Sequence, residues 1–246
     1  MFKDYFSQGA TAYADFRPRY PDALFTHLAG LAPGRQLAWD CATGNGQAAT
    51  GLARWFDAVV ATDASARQLE QAEAHPRITY RCAPAEQSGL DSGSVCLVTV
   101  AQALHWFDQP TFFAEARRVL APGGVLAVWC YSMVEIDSEI DRIICRFYTD
   151  VVGPWWKPER AMVDDGYRSL DFPFAEIGML PFFIDKDLAL DELLGYVRTW
   201  SATRGYQAER GEDPVIQLAS DLAAVWEPKG AALPGRWPLH FRVGRV

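Results

Sequence analysis

The sequence predicts an α/β fold in which a mostly parallel sheet carries helices on both faces. From residue 36 to residue 131, apolar strand-like runs alternate with helix-like stretches, a pattern typical of such a sheet. The chemically distinctive motifs fall where these predicted strands end. Because ligands of parallel sheets bind beyond the carboxyl ends of the strands, we expect a binding site there.

Composition limits the function. With 246 residues, 50% hydrophobic and 22% charged, the chain suits one domain with an insertion. The net charge of -8 argues against nucleic-acid binding, which requires clustered Lys and Arg. No apolar run approaches the roughly 18 residues of a membrane span, and the start lacks a signal-peptide core, so we expect a cytoplasmic protein. The five scattered cysteines and the histidine spacing predict no metal site.

The first predicted element is an amphipathic helix. Between Asp22 and Leu31 the apolar residues recur at helical spacing, so one face of the helix should pack on the sheet. The preceding residues, 5 to 20, are rich in aromatic side chains.

A glycine loop follows the first predicted strand, Leu37 to Trp39. Gly44 and Gly46 let the backbone turn sharply into a helix and leave room for a ligand beside the main chain. The second predicted strand, residues 58 to 62, ends in Asp63, 19 residues after Gly44. That offset is typical of an acid that binds a ribose hydroxyl pair.

Two cofactors compete for this loop. Residues 44 to 49 also satisfy Gly-x-Gly-x-x-Ala, a dinucleotide pattern that leaves an NAD-dependent oxidoreductase open. Asp40, however, stands just before the turn, where it would repel a pyrophosphate and attract the ammonium of a methionine moiety. Asp40 therefore favours S-adenosylmethionine.

At this loop the chain resembles the class I S-adenosylmethionine-dependent methyltransferases. Their first motif, Asp-x-Gly-x-Gly-x-Gly, corresponds to Asp40, Ala42, Gly44 and Gly46, with alanine in place of the first glycine. We expect Ala42 to take a turn conformation with negative φ. The resemblance implies a Rossmann-like sheet of seven strands whose last strand is antiparallel.

Further motifs follow in the family's order. The resemblance implies that Asp63 binds the ribose, that Ala64 and the pair Ala85–Glu86 lie near the adenine, and that Ala101 and Gln102 contact the cofactor after the fourth strand. That strand, residues 94 to 100, carries Cys96 where the family usually has Asp. Residues 117 to 129 resemble the family's junction between a helix and the fifth strand.

Two segments narrow the resemblance to a small-molecule branch that includes trans-aconitate methyltransferase-like proteins: residues 13 to 21 and residues 101 to 107. In the family the N-terminal segment folds across the cofactor as a lid. The residues that we expect to bind the acceptor are Tyr13, Arg17, Tyr20, His105 and Trp106. His105 is the candidate base or orienting residue, although it would equally suit a role in fixing its loop.

The predicted elements divide the whole chain into four segments. Residues 1–30 form the N-terminal lid segment and helix, 31–131 the cofactor-binding core, and 132–180 a helix with an irregular cap. Residues 181–246 hold the last two strands, around Phe182 to Ile184 and Trp237 to Arg245, with a helical insertion at about 188–235. Within it, 188–200 and 214–226 have helical patterns. The tryptophans at 155, 156, 200 and 226 are candidates for the cap lining.

These observations predict a methyltransferase acting on a small molecule, with a carboxylic acid as the candidate acceptor. The alternatives are a binding protein that keeps the fold without turnover and, less favoured, the NAD-dependent oxidoreductase. The sequence does not predict the oligomeric state.

Overall fold

The computed structural model describes residues 18–246. Tyr13 and Arg17, and most of the expected lid, lie outside the described residues.

Five parallel strands form the centre of the sheet, in the order β3-β2-β1-β4-β5. Their bounds are β1 Leu37–Cys41, β2 Ala58–Asp63, β3 Ile78–Cys82, β4 Val95–Ala101 and β5 Leu120–Tyr131. The two central strands, β1 and β4, are almost continuously apolar because helices cover both faces of the sheet.

The antiparallel last strand is confirmed. It is β8, Leu233–Arg245, which pairs with β5. Two further strands pair with β8, namely β6, Ala175–Glu176, and β7, Phe183–Leu188. The described chain therefore has eight strands rather than seven, because the two residues of β6 add a short pairing that has no hydrophobic pattern of its own.

The helices of the described chain alternate with the parallel strands and then cluster near the C-terminus. Their bounds are α1 Asp22–Leu31, α2 Gln47–Leu52, α3 Ala66–Leu69, α4 Gln109–Val119, α5 Ser138–Arg146, α6 Arg160–Asp164, α7 Leu190–Arg198, α8 Ser201–Arg210 and α9 Val215–Val225. Short 3₁₀ turns lie at Leu104–Trp106 and Gly153–Trp155, and a π turn, Phe147–Val151, extends α5. The cap consists of α5 to α9 and the turns between them.

The sequence predicted two helices in the insertion, and the structure has three. The additional helix is α8, whose ten residues are mostly polar, so no apolar stripe indicated it. Gly205 lets this helix approach the 3₁₀ turn Gly153–Trp155 closely, since a Cβ there would lie 3.3 Å from Trp155. The helix is held by this packing, which local sequence does not reveal.

Two apolar clusters cover the two faces of the sheet. One joins α1, α2 and the cap helices around Trp129 and Trp237, and the other joins α4 to the opposite face around Trp39 and Phe112. All four of these rings are fully buried. At roughly 25 cal/mol per Å² of apolar area, such rings are the main contributors to the stability of the sheet.

Candidate functional site

The glycine loop turns from β1 into α2 as the sequence predicted. Gly44 and Gly46 both have positive φ, +58° and +88°. A Cβ on Gly46 would lie 2.5 Å from the Tyr80 hydroxyl, so this glycine allows the loop to pack on β3. A Cβ on Gly44 would meet only one atom, at 3.9 Å, so the space beside Gly44 is open to a ligand.

Ala42 corrects one expectation. Its φ is +54°, in the left-handed region, whereas the sequence led us to expect a negative value. The loop keeps the conformation that a glycine would adopt freely, and the alanine methyl group makes it less favourable by about 1–2 kcal/mol.

Asp63 ends β2 beside the loop. Its Oδ2 accepts a hydrogen bond of 2.9 Å from the Gly44 amide, and its Oδ1 accepts one of 2.8 Å from the Ser65 amide. The pair that the sequence separates by 19 residues is thus in direct contact. Each carboxylate oxygen can accept more than one hydrogen bond, so these contacts are compatible with a ribose diol.

Asp40 lies beneath the loop. It is 1% exposed, and its two oxygens accept hydrogen bonds from the hydroxyls of Thr43 (2.5 Å) and Thr99 (2.7 Å). Burial raises its pKa to about 6, although both threonine hydrogen bonds oppose the shift. Asp40 therefore joins the loop to β4, and its expected contact with a methionine ammonium stays a prediction.

The other expected cofactor residues lie at the carboxyl ends of neighbouring strands. Ala64 directly follows β2, and Ala85, which is buried, comes just after β3. Glu86 accepts a hydrogen bond of 3.1 Å from the Asp108 amide and so joins this region to the start of α4. Ala101 is the last residue of β4, and Gln102 follows it with a φ of +56°. Their contacts with a cofactor stay predictions.

The open space beside Gly44 and the acceptor oxygens of Asp63 fit an adenosyl group. The ribose diol would lie against Asp63, and the adjoining chain would pass over the bare backbone of the loop. The adenine would reach Ala64 and Ala85, which present small apolar groups at the neighbouring strand ends.

A cavity of about 60 Å³ lies between the end of β4 and the cap. Gln102 and His105 line it on the sheet side, and the tryptophans at 156 and 200 line it on the cap side, as the sequence suggested for two of its four candidates. Trp226 is instead buried in the core, and Trp155 packs on Tyr206. A cavity of this volume can hold roughly two water molecules or one carboxylate group.

Three cationic side chains also line this cavity: Lys157, Arg160 and Arg204. None was singled out by the sequence analysis. Each lies in a cap segment without a motif, and only the fold brings them beside β4. A cluster of Lys and Arg in the irregular segment after Gly153 was the one available signal, and it is equally typical of a solvated surface.

Arg160 has the most defined environment of the three. Its guanidinium stacks over the Trp156 ring at 4.9 Å, and its Nε donates hydrogen bonds to Tyr148 Oη (2.9 Å) and Asp164 Oδ1 (3.1 Å). Its two terminal nitrogens make no hydrogen bond to the described residues. The side chain is only 23% exposed and lines the cavity, so these donors are available to an acceptor there.

His105 lies in the 3₁₀ turn after β4 and is 8% exposed. Its Nδ1 lies 3.1 Å from the hydroxyl of Tyr167, and its ring packs against Trp106 at 4.8 Å. Burial, together with the positive charge of Arg160, lowers the His105 pKa to about 3. The ring is therefore neutral at physiological pH.

Tyr20 and Cys96 lie apart from the residues that line the cavity. Tyr20 packs edge-on against Trp129 at 5.4 Å, and its role in acceptor binding stays a prediction. Cys96 stands at the amino end of β4, where its thiol lies 3.2 Å from the Gln36 side-chain oxygen. This departure from the family pattern is thus remote from the carboxyl ends of the strands, where the binding site lies.

Residues 18–246 contain neither a candidate metal site nor a candidate membrane span. No group of three or more His, Cys, Asp or Glu side chains there is arranged to hold a metal ion. Nor does that part of the chain contain a helix of the length and hydropathy needed to cross a membrane.

Comparison with known proteins identifies the family. The methyltransferase domain family matches residues 39–128. A Dictyostelium discoideum protein described as a methyltransferase is 31% identical over 230 residues, which cover 92% of this chain and 88% of the relative.

Solved structures agree. A protein of Anaeromyxobacter dehalogenans, described as a type II methyltransferase, superposes with a TM-score of 0.88 and 44% identity, over 94% of this chain and 98% of that chain. A Haemonchus contortus N-methyltransferase solved with S-adenosylhomocysteine shares the fold, with a TM-score of 0.50 and 15% identity, over 99% of this chain and 58% of that chain. S-adenosylmethionine as the cofactor of this family is confirmed, whereas the contacts of the loop with it stay predictions. The chain belongs to the class I S-adenosylmethionine-dependent methyltransferases.

Proposed function

We propose that this methyltransferase methylates the carboxylate of a small organic acid bound in the cavity between β4 and the cap. The observation that carries the proposal is the guanidinium of Arg160, which is largely buried at the cavity and whose terminal nitrogens make no hydrogen bond to the described residues. A guanidinium donates charge-assisted hydrogen bonds to a carboxylate, which are stronger than those between neutral groups.

The charge of the cavity wall supports an anionic acceptor. Lys157, Arg160 and Arg204 contribute positive charge, and no Asp or Glu is among the described residues that line the cavity. The whole chain carries a net charge of -8, so this concentration of positive charge is local. It would attract a small anion to the cavity.

The protonation states support a carboxylate over a phenol or an amine. An acceptor that loses a proton needs a base within hydrogen-bond reach. His105 is the expected base, but its pKa of about 3 makes it a very weak one. A carboxylate arrives ionised and needs no base, so the neutral histidine is free to orient it.

When bound, S-adenosylmethionine supplies a methyl group on a sulfonium, which a carboxylate oxygen accepts as the carbon–sulfur bond breaks, giving a methyl ester and S-adenosylhomocysteine. Asp63 and the backbone at Gly44 would hold the ribose and the adjoining chain. Arg160 would hold one carboxylate oxygen and leave the other directed toward the end of β4. Such positioning lowers barriers by up to about 7–11 kcal/mol in oriented intramolecular reactions.

The test is a methyl-transfer assay with labelled S-adenosylmethionine. It presents short mono- and dicarboxylic acids and aromatic acids, each beside its amide, and matched phenols and amines. We expect methyl esters from acids only, and products from phenols or amines without any ester would contradict the proposal.

Variants of Arg160 make the assay specific. Arg160→Met should lower kcat/KM for the acid by roughly 10- to 150-fold, the value of a hydrogen bond to a charged group, and Arg160→Lys should lower it less. Arg142→Met is the matched control, since Arg142 is exposed on α5 and pairs with Glu139 at the surface. Equal activity of the Arg160 and Arg142 variants would refute the role of Arg160.

A further inference from the structure

Tyr167 is buried beside the cavity in an unusual backbone conformation. It is fully buried, and its φ is +60°, which is rare for a bulky residue. The backbone is held from both sides, because its amide donates to the Met162 carbonyl (2.9 Å) and its carbonyl accepts from Arg242 Nη1 (2.9 Å). Strained residues that are held this firmly often occur at functional sites.

The Tyr167 hydroxyl faces the start of the 3₁₀ turn that carries His105. Among the described residues, the hydrogen-bond partner of this buried hydroxyl is the His105 ring. A buried phenol O–H needs an acceptor, and it would have none if it only accepted a hydrogen bond from the ring. The Tyr167 O–H therefore donates to His105.

The acceptor for that proton is His105 Nδ1, which lies 3.1 Å from the Tyr167 oxygen. A neutral imidazole carries one proton, and the nitrogen that accepts a hydrogen bond cannot carry it. The proton of His105 therefore belongs on Nε2. That nitrogen makes no hydrogen bond to the described residues, and the ring lines the cavity.

From this arrangement we infer that Tyr167 is a positioning residue that fixes His105 as the Nε2–H tautomer, so that His105 presents a hydrogen-bond donor to the acceptor's carboxylate. This inference rests on the proposed function for the identity of the acceptor, but the tautomer itself does not depend on it. Together, His105 Nε2 and Arg160 would hold a carboxylate with donors from the sheet side and the cap side.

The tautomer is measurable by ¹⁵N NMR of the uniformly labelled full chain in complex with S-adenosylhomocysteine. The His105 signals are those that disappear in His105→Gln. We expect the shift of an unprotonated nitrogen for Nδ1 and of a protonated nitrogen for Nε2. A proton on Nδ1 in the unaltered protein would overturn the inference.

Tyr167→Phe removes one oxygen and should convert His105 to a mixture of tautomers. Unchanged S-adenosylhomocysteine affinity and a cooperative melting transition would show that this variant is folded. A folded variant with the same single tautomer as the unaltered protein would overturn the inference. If the variant does not fold, the measurement on the unaltered protein decides.

Kinetics separate a donor from a base. A glutamine side chain at position 105 can place an N–H near the position of Nε2, so His105→Gln should keep kcat/KM for the acid within about 10-fold, whereas His105→Leu should lose roughly 10- to 150-fold. Equal losses in both variants would overturn the donor role. If the Nε2–H tautomer is found but no acid is methylated, the proposed function fails while the tautomer assignment stands.

Discussion

The buried carboxyl of Asp40 gives a quantitative prediction for the pH dependence of stability. In the folded state its pKa is about 6, against an ordinary value of 3.8, because burial disfavours the charge. The folded protein therefore holds this proton to higher pH than the unfolded chain does. Asp40 stabilises the fold most below about pH 4, and this contribution is lost as the pH rises through about 6.

The magnitude follows from the shift. About two pKa units at 1.36 kcal/mol per unit correspond to about 3 kcal/mol. Asp40→Asn removes the titration, and the amide can still accept from one threonine and donate to the other. The free energy of unfolding of the variant, minus that of the unaltered protein, should therefore rise by about 2.5 kcal/mol between about pH 4 and about pH 7.

Urea unfolding at several pH values over this range measures the difference. The contributions of the other titratable groups to the pH dependence of stability cancel, because both proteins contain them. Thr99→Val provides the companion variant. It removes a hydroxyl that lowers the Asp40 pKa, so the pH dependence of its stability should be steeper than that of the unaltered protein. A difference between the asparagine variant and the unaltered protein that stays constant with pH would refute the reasoning.

Three further changes have defined outcomes. Ala42→Gly should raise the free energy of unfolding by about 0.5 kcal/mol in a denaturant melt, since relief of the left-handed conformation exceeds the entropy that glycine loses, and a loss of stability would contradict the geometry. Asp63→Asn keeps an acceptor for the Gly44 amide but should weaken S-adenosylhomocysteine binding by at least about 10-fold in a calorimetric titration; unchanged affinity would remove the ribose assignment. Glu115→Gln should destabilise the protein by about 1–2 kcal/mol at neutral pH, because hydrogen bonds from Arg118 hold the Glu115 pKa at about 2. That stabilisation is lost as the pH falls toward 2, so the variant and the unaltered protein should converge in acid.

The parallel core was predictable because its strands are short apolar runs separated by strong turn signals. Helix α1 has the bounds that its apolar spacing predicted, Asp22–Leu31. The offset of 19 residues correctly placed Asp63 at the end of the strand beside the loop, since adjacent parallel strands bring their carboxyl ends together. The direct contact between Asp63 and the Gly44 amide was not predicted.

The cap was much less predictable. Helix α8 has no apolar stripe, and β6 is only two residues long. Neither Arg160 nor Tyr167 belongs to a recognisable motif, because their roles depend on contacts between segments that are far apart in the sequence. Tyr167 and His105, for example, are 62 residues apart. Periodicity describes how a segment meets its immediate surroundings, and it carries no information about such pairings.

The conformation of Ala42 shows a further limit. The motif aligned this residue with a family glycine, but the identity of the residue suggested an ordinary turn. The structure keeps the left-handed backbone. Here the loop geometry, held by the Thr43 hydroxyl on Asp40 and the Gly44 amide on Asp63, overrides the preference of a single side chain.

A crystal structure of the complex with S-adenosylhomocysteine and an acid that the protein methylates tests the central claim most directly. The predicted result is a carboxylate within hydrogen-bond distance of the Arg160 terminal nitrogens and of His105 Nε2, with the ribose on Asp63. An acid bound outside the cavity, or a carboxylate held by neither of these side chains, would contradict the account.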